Sequence, residues 1–215
     1  MTTTPSIPAL PATSLARSLT TTVTGALSRP LADHSIRSYL FARVLADHLG
    51  ATPGRDYDQQ LLFAACVLHD MGLSEAGDGN QRFEVDGADL AARLLADHGL
   101  PAADVDAVWE AIALHTSPGI AERRGLLCHL TRAGVGMDFG RGTEPVSDEL
   151  GAQIHTLHPR QALETVLVEA ITGQAVRNPS KAPRYSTADV FLLERTSPPH
   201  LTRMEQGVVS SRWGS

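Results

Sequence analysis

Lysine is almost missing from this chain: of 18 basic residues in 215, only Lys181 is not arginine. No basic cluster exceeds the pair Arg123–Arg124 and the net charge is −6, which excludes a surface built for non-specific nucleic-acid contact. The arginine bias itself reads as genome composition. Long apolar runs are also absent. The longest, Leu61 to Leu68, falls far short of the roughly 20 residues a spanning helix needs, so no membrane crossing is expected. The opening MTTTPSIPALPATS has neither a basic nor an apolar leader region, which points to a cytoplasmic address. The two cysteines, Cys66 and Cys128, sit in apolar helical patterns as small hydrophobes, so no disulfide framework is expected. No stretch alternates strongly enough to demand a sheet. LADH occurs at Leu31, Leu45 and Leu95, but these positions share no period and make no repeat.

What is present is a 42% hydrophobic chain of single-domain size, able to bury a sizeable core. Residues 1–12 are Thr/Pro-rich and read as a flexible arm before a short helix through Leu15, Leu19 and Val23. Helical spacing then marks Leu31 to Gly50, and a second helix capped by Asp56 with Gln59 and ending near Met71–Gly72. That second helix is apolar nearly all round and should be central. Further helices are expected at Glu84 to His98, Ala102 to His115, Leu126 to Asp138 and Asp148 to Leu157, then one opened by Pro159 through Ile171. Residues 179–215 mix Pro, Ser and Arg without periodicity and read as an irregular tail. The fold class is therefore an all-α bundle of five or more helices, with its domain at 13–178.

Nine histidines invite metal chemistry, but several have plainer roles. His48 and His98 close helices, where the macrodipole favours partial positive charge. His129 reads as a satisfied, partly buried side chain, His155 falls in the less ordered C-terminal third, and His158 reads as an N-cap before Pro159. His34, His69 and His115 remain, with Asp70 and Asp138. His34 opens its helix, where the local field disfavours imidazolium and suits a neutral ligand. His69–Asp70 ends an apolar helix, and burying both costs several kcal/mol unless a cation or a partner compensates. Asp138 repeats that situation at the end of the fifth helix. Two imidazoles and two carboxylates suit one divalent ion with open positions for water.

The order His34, then His69-Asp70, then Asp138, at helix ends of one bundle, resembles the HD-domain metal-dependent hydrolases, named for that dipeptide. The chain looks most like their cyanamide hydratase branch. The matching stretches are His34-Ser-Ile-Arg37-Ser-Tyr-Leu-Phe41, His69-Asp70-Met-Gly72-Leu73, Arg82-Phe83-Glu84 with Gly87-Ala88, Ala111-Ile112-Ala-Leu-His115 and Gly136-Met-Asp138. With His158-Pro159-Arg160 and the opening Ile7-Pro8, the resemblance covers about residues 6–178. It implies a metal held by His34, His69, Asp70 and Asp138, with His115 where relatives place another active-site histidine. Two-metal relatives add an adjacent histidine pair before the last Asp, which this chain lacks, so one divalent ion is expected. Zinc comes first, and iron, manganese, cobalt or nickel also suit the donor set.

Such an ion makes hydroxide available at neutral pH, and proton transfer then falls to His115, Glu84 or Asp70. Arg37, one turn after His34 with Phe41 beyond it, orients a ligand carboxylate, binds an anionic substrate beside Phe41, or makes a structural ion pair. No basic residue follows His69-Asp70 until Arg82, which favours a small uncharged substrate, cyanamide or another nitrile-type metabolite, over a phosphate ester. The alternatives are a phosphohydrolase using Arg37 and Arg82, and a non-catalytic regulatory module with a structural metal. The expected partner is a small molecule rather than nucleic acid or a membrane; whether the chain forms a homo-oligomer is left open.

Overall fold

A computed structural model describes residues 6–196 and 201–214, apart from the side chain of Arg203. Of the expected arm, residues 1–5 lie outside the described residues, and 6–12 carry no regular structure. Among the described residues the architecture is all-α, without a β-strand. No helix among them is long and apolar enough to cross a membrane.

The chain enters through α1 (Ser14–Ala26), where the Thr13 hydroxyl accepts from the Ala16 N–H and Leu15, Leu19 and Val23 turn inward. Next comes α2 (Arg29–His48), opened by a proline in its first turn and buried on nearly every side from Leu31 to Ala42. At the centre lies α3 (Gln59–Leu68), whose residues Leu62 to Leu68 are fully buried, as an all-apolar helix requires. Its cap is Asp58, which accepts from the Gln60 and Leu61 N–H groups, and not Asp56. Asp56 sits too far ahead of the free N–H groups and instead accepts from Thr52 and pairs with Arg55.

Around α3 stand α4 (Phe83–Asp97), α5 (Ala102–Ala113) and α6 (Leu126–Asp138). The most extensive helix packing is α2 against α6, and Gly134 permits it: a Cβ there would collide with the Ser38 carbonyl oxygen. The turn after α3 is clamped in the same way. A Cβ on Gly72 would overlap the Phe83 carbonyl and lie 2.9 Å from the Gly87 nitrogen, so the His69-Asp70 turn rests directly on the backbone of α4.

After α7 (Asp148–Leu157) the chain loops through 158–162 before α8 (Leu163–Arg177), so Pro159 does not open that helix. Gln161 and Ala162 both hold φ of 56°, a left-handed conformation that costs non-glycine residues about 1–3 kcal/mol each. Beyond Arg177, where an irregular tail was expected, the chain forms α9 (Thr187–Thr196) and α10 (Arg203–Val209), both packed on α8. Short length and few inward apolar positions hid their periodicity. Lys181 staples this segment to the bundle. Its buried ammonium pairs with Asp86 at 2.5 Å and Asp78 at 3.2 Å, ahead of α4, so the packed unit does not end at 178.

Candidate metal centre

Three helix ends meet at one buried point. His34 projects from the early turns of α2, while His69 and Asp70 follow the last turn of α3. His34 Nε2 lies 3.2 Å from His69 Nε2 and 3.8 Å from Asp70 Oδ2, and His69 Nε2 lies 3.2 Å from that same oxygen. All three side chains are essentially inaccessible, and together they form a cluster able to hold a metal ion.

The outer face of each imidazole fixes its tautomer. His69 Nδ1 donates to the Cys66 carbonyl at 2.7 Å, and His34 Nδ1 donates to Asp138 Oδ2 at 2.6 Å. Both Nε2 lone pairs therefore face the cluster, the arrangement a metal-ligating histidine needs. Asp70 Oδ2 is buried and accepts no hydrogen bond: with the His69 proton on Nδ1, the Nε2 atom 3.2 Å away brings it none. A cation there would satisfy an oxygen that nothing else satisfies, so the donor set fits a divalent metal.

Electrostatics agree with that geometry. Burial and Asp138 act oppositely on His34, and burial prevails, holding its pKa below the ordinary value. For His69 burial is outweighed by Asp70 and the Cys66 carbonyl, which raise its pKa. Burial also opposes the charge on Asp70, but the surrounding histidines hold its carboxyl well below the usual range.

Asp138, expected as a fourth ligand, is arranged differently. Its Oδ1 accepts from Arg37 Nε at 2.7 Å and its Oδ2 from Arg37 Nη2 at 2.8 Å, alongside the bond from His34. Arg160 Nη1 and His155 Nε2 stand 3.4 and 3.6 Å from Oδ1, and Arg160 also donates to the Asp138 backbone carbonyl. Both oxygens are thus engaged by the chain itself. Asp138 backs His34, and does not point into the cluster beside Asp70.

Arg37 is correspondingly no substrate anchor. It is fully buried, and its remaining Nη1 donates to the carbonyls of His158 and Pro159 at 2.8 and 3.0 Å. Phe41 is likewise withdrawn: its buried ring lies 6.0 Å from that of His155 and 5.9 Å from that of Trp213, and it does not line the cavity above the cluster. His158 is no N-cap either, since its Nδ1 meets Asp33 at 3.0 Å. His98 bonds to Ser18 at the end of α4.

His115, just past α5, stacks edgewise on His69 with ring centres 4.9 Å apart, and its Nδ1 donates to the Ile112 carbonyl at 2.6 Å. Its Nε2 is therefore an acceptor, and burial together with His69 pushes its pKa down to about 4. Glu84 sits behind it. That buried carboxylate accepts from Thr116 Oγ1 at 2.5 Å and Arg82 Nη2 at 2.8 Å, so Arg82 is already paired.

The cluster forms the floor of a cavity of about 340 Å³. Phe83, Phe139, Leu167, Ile171 and Phe191 make its walls largely apolar, with Thr187 and Glu194 among them, and His115 and Thr116 join the floor. Arg132 and Arg141 stand on the same lining; Arg132 Nη1 pairs with Glu122 at 2.9 Å. Sequence reasoning missed Thr116, His155, Arg160 and the whole contribution of α8 to α10. Only the run His155-Thr-Leu-His158-Pro-Arg160, dense in nitrogen donors, carried a signal.

A search among curated proteins finds no match. The family model for the HD domain matches residues 31–157, a segment that contains His34, His69, Asp70, His115 and Asp138. That match spans more than half of the chain and includes each residue of the floor, so this protein belongs to the HD domain family.

Proposed function

We propose that the chain is a single-metal hydratase or hydrolase that adds water to a small uncharged carbon–nitrogen electrophile of the nitrile or cyanamide type. One observation carries the reading: His34 Nε2, His69 Nε2 and Asp70 Oδ2 converge at the floor of an apolar-walled cavity, while the arginines nearest in sequence, Arg37 and Arg82, are both committed to carboxylates. A divalent ion there supplies a nucleophilic water at neutral pH, by lowering its pKa from 15.7 towards about 7.

The chain's own residues do the rest. Asp138 and the Cys66 carbonyl hold His34 and His69 by their Nδ1 protons, so both rings keep their orientation through turnover. His115 Nε2, neutral and an acceptor, takes a proton from the attacking water and returns it to the substrate nitrogen. Glu84, held by Thr116 and Arg82, acts on His115 through its charge, and the largely apolar walls limit bulk water at the reacting carbon. The balance is simple: one water adds across one C≡N bond to give an imidic acid, or isourea from cyanamide, and the shift of its hydroxyl proton to nitrogen then gives the amide or urea.

A second reading rests on Arg132 and Arg141 in the cavity lining, which suit an anionic ester. Elemental analysis of the purified chain, followed by ammonia and urea assays on cyanamide and simple nitriles beside a phosphate-release panel, separates the two. About one metal per chain with amide or urea formation supports the hydratase. Phosphate release alone overturns it in favour of a phosphohydrolase.

A further inference from the structure

The cavity is much larger than its floor requires. At roughly 30 Å³ per liquid water, 340 Å³ holds about eleven water-sized units, whereas cyanamide has three non-hydrogen atoms. Much of the surplus volume is bounded by carbon, with Arg132, Arg141, Thr187 and Glu194 also on the lining. Leu167 and Ile171 come from α8, Val190 and Phe191 from α9, and Met204 from α10. All five lie beyond the segment that matches the family model, which ends at 157 and holds the whole floor.

Phe191 is 7% exposed on α9, and the short helix is anchored upstream by Lys181 on Asp86 and Asp78. Walls with this apolar share reward apolar area on the ligand.

We propose that Val190, Phe191 and Met204 are specificity-determining residues. In this reading the substrate carries an alkyl or aryl body of several carbons attached to the reacting centre, and α9 and α10 set how long that body is. The inference rests on the proposed metal-dependent reading of the floor and narrows its substrate class from cyanamide itself to longer, apolar-bodied congeners.

The probe is a series of straight-chain alkyl hydroxamic acids, whose head groups chelate a metal, titrated calorimetrically into the full-length, metal-loaded chain with metal content measured in parallel. Affinity should rise about fourfold per methylene until the cavity is full and then level off. Phe191→Ala should move that plateau to longer chains, and Val190→Trp, at a 41% exposed position where the larger ring is tolerated, should move it to shorter ones. A head group that binds equally at every chain length, or a plateau that neither variant moves, overturns this inference and leaves the metal floor standing. A chain that takes up no metal and binds no hydroxamate overturns the proposed function and this inference together.

Discussion

Replacing Asp138 by asparagine tests the arrangement around His34 most directly. The substitution keeps shape but removes the carboxylate paired with Arg37, whose side chain is 0% exposed. Arg160, at 5% exposure, loses the same partner. Breaking a buried ion pair from one side costs about 3–5 kcal/mol, because the remaining charge stays desolvated. At roughly 2–4 °C per kcal/mol for a chain of this size, the metal-free protein should melt about 6–20 °C lower. His34 also loses the acceptor for its Nδ1 proton, which should weaken metal binding by about 10- to 100-fold while three ligand atoms remain. Thermal melts of the metal-free chain, paired with competition against a chromogenic chelator, read both effects. If metal-free Asp138→Asn melts within about 2 °C of the parent while its metal affinity collapses well beyond about 100-fold, Asp138 is a direct ligand and the account of its partners is wrong.

Single alanine substitutions of His34, His69 or Asp70 should each abolish stoichiometric metal, while His48→Ala and His98→Ala should retain it, as plasma emission analysis would show. His115→Ala should keep its metal yet lose about 100-fold or more in turnover, and full activity on the true substrate would reduce His115 to a helix terminus. His115 also gives the metal-free chain a pH dependence. Its folded pKa near 4 lies below the unfolded value of 6.5, so the unfolded state binds the extra proton and stability falls as pH drops through that window, by about 3 kcal/mol. Urea melts across pH 4–7 should show a shallower slope for His115→Gln; identical slopes would refute the assignment. Gly72→Ala should cost about 3 kcal/mol, the upper end for overpacking, because its methyl meets backbone that cannot rotate away.

Long helices were legible from sequence because period and caps agreed over several turns: Leu126 to Asp138 falls on its expected span, and α3 is as buried as its apolar circumference demands. The cap of α3 was misplaced by two residues, since Asp56 and Asp58 look alike until the first free N–H groups are located. His34, His69 and Asp70 could be found because buried ionisable groups at helix ends need compensation. How Asp138 is compensated could not be read, because Arg37 and Arg160 reach it across more than 100 and about 20 residues of sequence, and nothing local distinguishes a metal from an arginine as partner. The cavity walls were illegible for a related reason. Residues on α9 and α10 gain meaning only once Lys181 has brought those short helices back against α8.

The order of parts along the chain has a consequence for biogenesis. Every residue of the floor is synthesised by Asp138, but the walls close only when Phe191 and Met204 have emerged. At about 5–20 residues per second, several seconds separate the two events. A nascent chain therefore presents its histidines and Asp70 to the metal pool of its compartment through an open face. Once α9 and α10 have docked, an ion must enter and leave by the route the substrate takes. Loading during synthesis and exchange afterwards then face different barriers.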